Sequence, residues 1–267
     1  MLRERVITAI VLLIVLTAAL FWLPLSGWWG FCACIAAAAA WEWAGLFRLD
    51  ASLRLVYGVL VGLLVFLFEA LSSNEADIFV FGISVLFWVL CAPIWLKNRW
   101  QISQTWLAML CGLVVLVPAA LALARLRGHD PWLLLAICAL VWVADIGAYF
   151  GGRAFGKRKL APQISPGKSW EGVWSGLIAV LIYGAIVFAS KLELVPGAVG
   201  WPVAMLSLAV LVALSVEGDL FESLLKRQAG IKDSSNLLPG HGGVLDRIDS
   251  LTSTLPLAAL WAALWPH

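Results

Sequence analysis

Apolar runs of helix length, each bounded by charge or by Pro and Gly, recur from one end of the chain to the other. They cover roughly 6–25, 27–47, 54–71, 77–96, 106–124, 131–150, 172–190, 201–220 and 250–265. At ~1.5 Å per residue these runs approach the ~30 Å hydrocarbon core of a bilayer. Gly, Ala and Ser are scattered through them, which suits helices packed closely against one another and against lipid. A membrane β-barrel needs alternating segments of about 10 residues, and none is found. The pattern predicts an all-α, polytopic integral membrane protein with about nine transmembrane helices. The segments between runs are short, and Ser72-Ser73-Asn74 reads as a turn.

Composition agrees: 63% of the residues are hydrophobic, 13% are charged, and the mean hydropathy is +0.96. The first run is longer than a signal-peptide core and is expected to stay as the first helix. With the N-terminus cytoplasmic, fifteen Lys and Arg fall in inner segments, and only Arg125, Arg127 and Lys191 fall outside. The positive-inside rule selects that orientation. It predicts a multi-pass protein of the cytoplasmic (inner) membrane with both long charged loops facing the cytoplasm. Arg125 and Arg127 are expected to snorkel or to pair with Asp130 or lipid phosphate. A formal charge of +2 implies no nucleic-acid partner. The five cysteines all lie in apolar runs with no metal-like partner set, and read as packing residues.

Ionisable residues inside apolar runs are the first candidates for chemistry. Glu42, between Trp41 and Trp43, either serves function or reaches headgroups, whereas Glu69 reads as interfacial. Asp145 interrupts the sixth run more deeply and reads as functional. The loop after it contains two sequences close to a P-loop, but Arg158 stands where Ser or Thr is required, and Pro162 where the first Gly belongs. What remains is a Gly-rich basic loop leading to a helix start, with Ser169 as N-cap and Glu171 in the first turn. Its amides and Lys168 are expected to suit an anion. Arg158 and Lys159 read as topogenic.

The 27 residues from Ser223 to Asp249 are dense in both signs of charge. On a helix, Asp219, Glu222, Ser223 and Lys226 share one face, and Asp246 and Asp249 share another. Carboxylates so grouped repel unless a basic group or hard cation lies among them, and Mg²⁺ takes one or two carboxylates together with phosphate oxygens. Lys226, Arg227, Lys232 and Arg247 can hold phosphates. The alternative is a solvated loop of mixed charge. Asp145, Asp219 and Asp246 are expected to converge near the inner membrane surface.

The stretch Ser-x-x-Lys-Arg-x4-Lys-Asp-x4-Leu-Pro-Gly-His-Gly-Gly-x-x-Asp-Arg-x-Asp, from Ser223 to Asp249, resembles the signature of the phosphatidate cytidylyltransferases, the CDP-diacylglycerol synthases. A second stretch, from Asp145 to Gly172, is similar to another part of the same enzymes. The resemblance implies CTP and phosphatidate as substrates and CDP-diacylglycerol and pyrophosphate as products. It makes Asp219, Lys226, Asp246 and Asp249 the expected catalytic residues, with Asp219, Asp246 and Asp249 on Mg²⁺ directly or through water. Whether a second, monovalent cation joins is open. Lys168, Ser165, Arg227, Arg247 and Asp145 are the expected substrate-binding residues, and His241 either donates to pyrophosphate or structures its loop. The lipid is expected to enter a cavity between helices at the inner leaflet. The resemblance also implies a homodimer. Residues 1–130 would be structural, mainly lipid-facing helices, and residues 131–267 the catalytic region. Two rivals stay open: a CTP-dependent polyprenol kinase, and a transporter.

Overall fold

The computed structural model describes residues 2–71, 73–189 and 200–264. Ser72 and Lys191, with the side chains of Arg3, Arg5 and Glu69, lie outside the described residues. The helices are α1 (Leu2–Trp22), α2 (Leu25–Leu46), α3 (Ala51–Leu71), α4 (Asn74–Leu86), α5 (Ala92–Asn98), α6 (Thr105–His129), α7 (Pro131–Phe155), α8 (Trp170–Ala189), α9 (Trp201–Ala229) and α10 (Leu245–Leu264). A π-helical turn, Phe87–Cys91, joins α4 to α5 in one rod. It falls where Pro93 lacks the N–H that would bond to Val89, so the ladder widens there.

Seven of these rods, among the described residues, are long and apolar enough to cross a membrane: α2, α3, α4 to α5, α6, α7, α8 and α9. The apolar part of α1, Val6–Trp22, is shorter. The first turn of α10 carries Asp246 and Arg247, and Asp249 follows it. The chain is a polytopic, helical membrane protein. One feature departs from the all-helical expectation: the basic loop after α7 folds as an antiparallel hairpin of β1 (Lys159–Ala161) and β2 (Ser165–Ser169).

The core lies between α2, α6 and α10 and includes Trp28, Trp29, Trp43, Leu116, Leu121 and Leu255. Indole N–H groups buried in a bilayer need acceptors, and here they find helix carbonyls: Trp43 Nε1 donates to the Ala108 oxygen at 2.9 Å and Trp28 Nε1 to that of Leu123 at 3.4 Å. Ala36, Ala39 and Ala40 are buried, so the alanine run packs within the chain. Pro256 interrupts the α10 ladder. The adjacent polar side chains turn back onto the backbone, with Thr254 Oγ1 donating to the Ser250 oxygen and Ser253 Oγ to that of Leu214.

At the end of the bundle away from the charged loops, the arginine expectation needs correction. Arg125 pairs with Asp77 at 2.8 Å and lies over the Trp29 ring, rather than pairing with Asp130. Asp130 instead caps α7, accepting from the Trp132 amide at 2.8 Å. Arg127 donates to the Leu20 and Leu23 oxygens at the end of α1. The chain itself supplies partners on α1, α2 and α4 that local sequence could not reveal.

Candidate functional site

The periodicity of α9 puts Asp219, Glu222 and Lys226 on one face, and packing decides which way that face turns. Phe221 makes edge-on contacts with Phe87, Trp88 and Trp95, with ring centroids 5.6, 5.4 and 5.5 Å away. Leu220 and Leu224 pack on Ile164 of the hairpin. These contacts fix the rotation of α9 and leave its charged face toward α10 and β2. Lys226 Nζ then lies 3.2 Å from Glu222 Oε1 and 2.5 Å from Asp246 Oδ1. Glu222 is buried, and its Oε2 accepts no hydrogen bond.

The hairpin brings the second cation. Lys168 on β2 pairs with Asp219 at 2.6 Å, and Asp219 also accepts from Ser223 Oγ at 3.2 Å. Ser169 caps α8 as expected, accepting from the Gly172 amide at 3.2 Å. The amides before the hairpin bind an anion from within the chain: Glu171 accepts from Lys157 and Arg158 at 3.1 Å each. At the helix start where an anion was expected, the Gly172 amide is taken by Ser169 and Lys168 by Asp219.

The first turn of α10 is held by a residue that sequence reasoning left undecided. Glu42 on α2, fully buried, accepts from the Val244 amide at 3.0 Å, the Leu245 amide at 2.6 Å, Ser234 Oγ at 3.2 Å and Ser235 Oγ at 2.6 Å. It does not reach headgroups. Asp246 completes the arrangement: its Oδ2 accepts from the amides of Ser234 and Gly243 and from Ser234 Oγ, all at 2.7–2.8 Å. Gly242 has φ +80°, and a Cβ there would stand 2.6 Å from Asp246 Oδ2. Two acids from distant parts of the chain therefore anchor the Pro-Gly-His-Gly-Gly loop.

A cavity of about 600 Å³ opens between α1, α2, α6, α7 and α10. Its walls are apolar, including Leu16, Phe31, Ala39, Ala119, Leu116 and Trp142. One end carries Asp145, His241, Asp246, Arg247 and Asp249. Asp145 interacts electrostatically with Asp219, Lys168 and Arg247, and Asp249 with Asp219, Lys226 and Lys168. The expected convergence of Asp145, Asp219 and Asp246 is thus present. Other expected residues stand apart from it. Arg227 is exposed and donates to the Ile231 oxygen at 3.0 Å, Lys232 is exposed, and Ser165 opens β2 without lining the cavity.

Five carboxylates (Asp145, Asp219, Glu222, Asp246 and Asp249) face three cations (Lys168, Lys226 and Arg247). The donors are all oxygens, and formal negative charge is in excess by two, which suits one hard divalent ion. Among the described residues, no three His, Cys, Asp or Glu side chains stand close enough to form a ready metal site. Lysines occupy the space between the acids, and both oxygens of Asp246 already have partners. Asp219 likewise has one oxygen on Lys168 and the other on Ser223 Oγ, so of the three expected ligands Asp249 is the best placed to take a metal, with one oxygen on the neighbouring Ser250 amide.

Comparison with known proteins adds an independent line. Residues 3–265 match the cytidylyltransferase family model. A phosphatidate cytidylyltransferase of Pseudomonas aeruginosa is 42% identical, covering 99% of both chains. One from Haemophilus influenzae is 41% identical over 96% of both, and one from Brucella suis is 38% identical over 99% of this chain and 94% of its own.

Proposed function

The chain belongs to the cytidylyltransferase family, and from that premise we propose that it is a CTP:phosphatidate cytidylyltransferase, forming CDP-diacylglycerol and pyrophosphate. The observation that carries this reading is the cavity: apolar walls of a size for acyl chain end at the charged groups of Asp145, Arg247 and Asp249. A lipid with a phosphate head fits that division of polarity. It also lets a water-soluble nucleotide and a membrane lipid meet at one place.

The nucleophile is a phosphate monoester already ionised near neutral pH, so no side-chain base is required. Its oxygen forms a bond to the α-phosphorus of CTP as the bond to pyrophosphate breaks. What the chain must supply is charge neutralisation and in-line placement. Arg247, at the cavity end, is suited to the phosphatidate head in bidentate fashion. Lys168 and Lys226 give the remaining positive charge, and His241 lies where it can donate to leaving pyrophosphate. Mg²⁺ bound through Asp219 and Asp249, with Asp246 nearby, would add Lewis-acid stabilisation of the crowded phosphates.

The finer topology belongs to the same proposal. Nine crossings, a cytoplasmic N-terminus and both charged loops inside would place the site on the nucleotide-bearing side of the inner membrane. The test is pyrophosphate release by the purified, detergent-solubilised protein given CTP, phosphatidate and Mg²⁺, beside Asp219→Asn. Lipid-dependent release that the variant loses is the expected result. CDP formed with a polyprenol acceptor would move the assignment to a kinase, and no nucleotide turnover with any lipid would reopen a transporter.

A further inference from the structure

Glu42 is outside both signature stretches and more than 190 residues from every donor it binds. We propose that Glu42 is a positioning residue for cytidylyl transfer, clamping both ends of the 234–245 loop so that Asp246, Arg247 and Asp249 are held at the cavity. Its activity readout rests on the cytidylyltransferase reading above; its geometry does not.

Three observations carry the inference. First, the donors come in two pairs, Ser234 and Ser235 at one end of the loop and Val244 and Leu245 at the other, and a single carboxylate joins them. A helix start needs acceptors for its free amides, and they commonly come from a side chain just before it. Gly243 and Val244 have none to offer, so α2 supplies the cap. Second, the loop is shaped around this acid. A Cβ on Gly243 would come within 2.6 Å of Glu42 Cδ, so the glycine makes the room that the carboxyl group fills. Third, Glu42 stands on a fixed base. Ala39, Ala40 and Ala44 are buried on the same helix.

Glu42 does not line the cavity and is not a catalytic group. It acts through Asp246, with which it shares the Ser234 hydroxyl. Both of its oxygens face donors only, so a glutamine would turn an amide N–H₂ toward an N–H or O–H. Glu42→Gln therefore loses at least one clamp contact while keeping size and shape. Displacement of reacting groups by about 1 Å can cost about 10²-fold in rate.

The experiment compares the full-length protein with Glu42→Gln, Ser235→Ala and Trp43→Phe in detergent, using CTP, phosphatidate and Mg²⁺. It measures kcat, both KM values, melting temperature and the rate of proteolytic cleavage between residues 231 and 243. Glu42→Gln should lower kcat about 10²-fold while leaving the CTP KM within about threefold, and should speed cleavage of the loop. Ser235→Ala should shift both in the same direction by less. Trp43→Phe should lower the melting temperature and leave kcat unchanged. A wild-type kcat in Glu42→Gln overturns the proposal, as does an equal kcat loss in Trp43→Phe at equal loss of melting temperature. If Glu42→Gln does not fold, Ser235→Ala decides, and an unchanged kcat there overturns it. If the unsubstituted protein releases no pyrophosphate, the reaction assignment alone has failed. Loop cleavage then decides the clamp, with equal rates in Glu42→Gln and wild type counting against it.

Discussion

Lys226 Nζ stands 2.5 Å from Asp246 Oδ1, which ties the last turns of α9 to the first turn of α10. Glu222 lies on the other side of the same ammonium group. All three are buried, so removing the lysine leaves two carboxylates without their cation. Breaking such a pair costs about 3–5 kcal/mol. Lys226→Met should lower the melting temperature sharply and abolish activity, and adding Glu222→Gln should restore part of the stability but not the activity. Thermal unfolding followed by tryptophan fluorescence checks both halves.

The pair at the opposite end of the bundle should behave differently. Arg125 and Asp77 join α6 to α4 far from the cavity's charged end. Asp77→Asn should destabilise by about 2 kcal/mol with kcat unchanged in the folded fraction. A large kcat loss at unchanged stability would show that this end takes part in turnover.

Filling the cavity should separate the two substrates. Ala119 lines its apolar wall, so Ala119→Leu takes space meant for acyl chain. Overpacking of this kind costs about 1–3 kcal/mol, and the penalty should appear as a phosphatidate KM raised about tenfold, with the CTP KM unchanged. Short-chain phosphatidate should suffer less than long-chain. Equal effects on both KM values would argue against lipid in this cavity.

Orientation can be read by labelling. Arg158 and Lys232 are exposed in the two charged loops, and Gly128 is exposed at the other end of the bundle. Cysteines placed at 158 and 232 should react with an impermeant maleimide only in inverted membrane vesicles, and one placed at 128 only in right-side-out spheroplasts. The reverse pattern would invert the topology.

The helices were legible because apolar run length alone marks them, and the α9 face was legible because Asp219, Glu222 and Lys226 repeat with the helix. Other features depended on tertiary contacts that no local pattern encodes. Arg125 lies five residues from Asp130 in sequence, yet pairs with Asp77 because α4 and α6 pack together. The hairpin at 159–169 was read as a basic loop, since its strands are three and five residues long and carry no alternating signal. Glu42 could be flagged as an acid within an apolar helix, but its four donors come from the far end of the chain. Arg227 and Lys232 matched the signature, yet the turn after α9 leaves both on the surface.

Chains are made and inserted from the N-terminus onward. Glu42 is therefore in place while most of the protein is still unmade, and Ser234, Ser235, Val244 and Leu245 emerge near the end of synthesis. Until then α2 carries an acid with nothing to hold, and the loop that needs it does not exist. Translation order thus makes completion of the site a late event, and a chain that stops short of α10 lacks Asp246, Arg247 and Asp249.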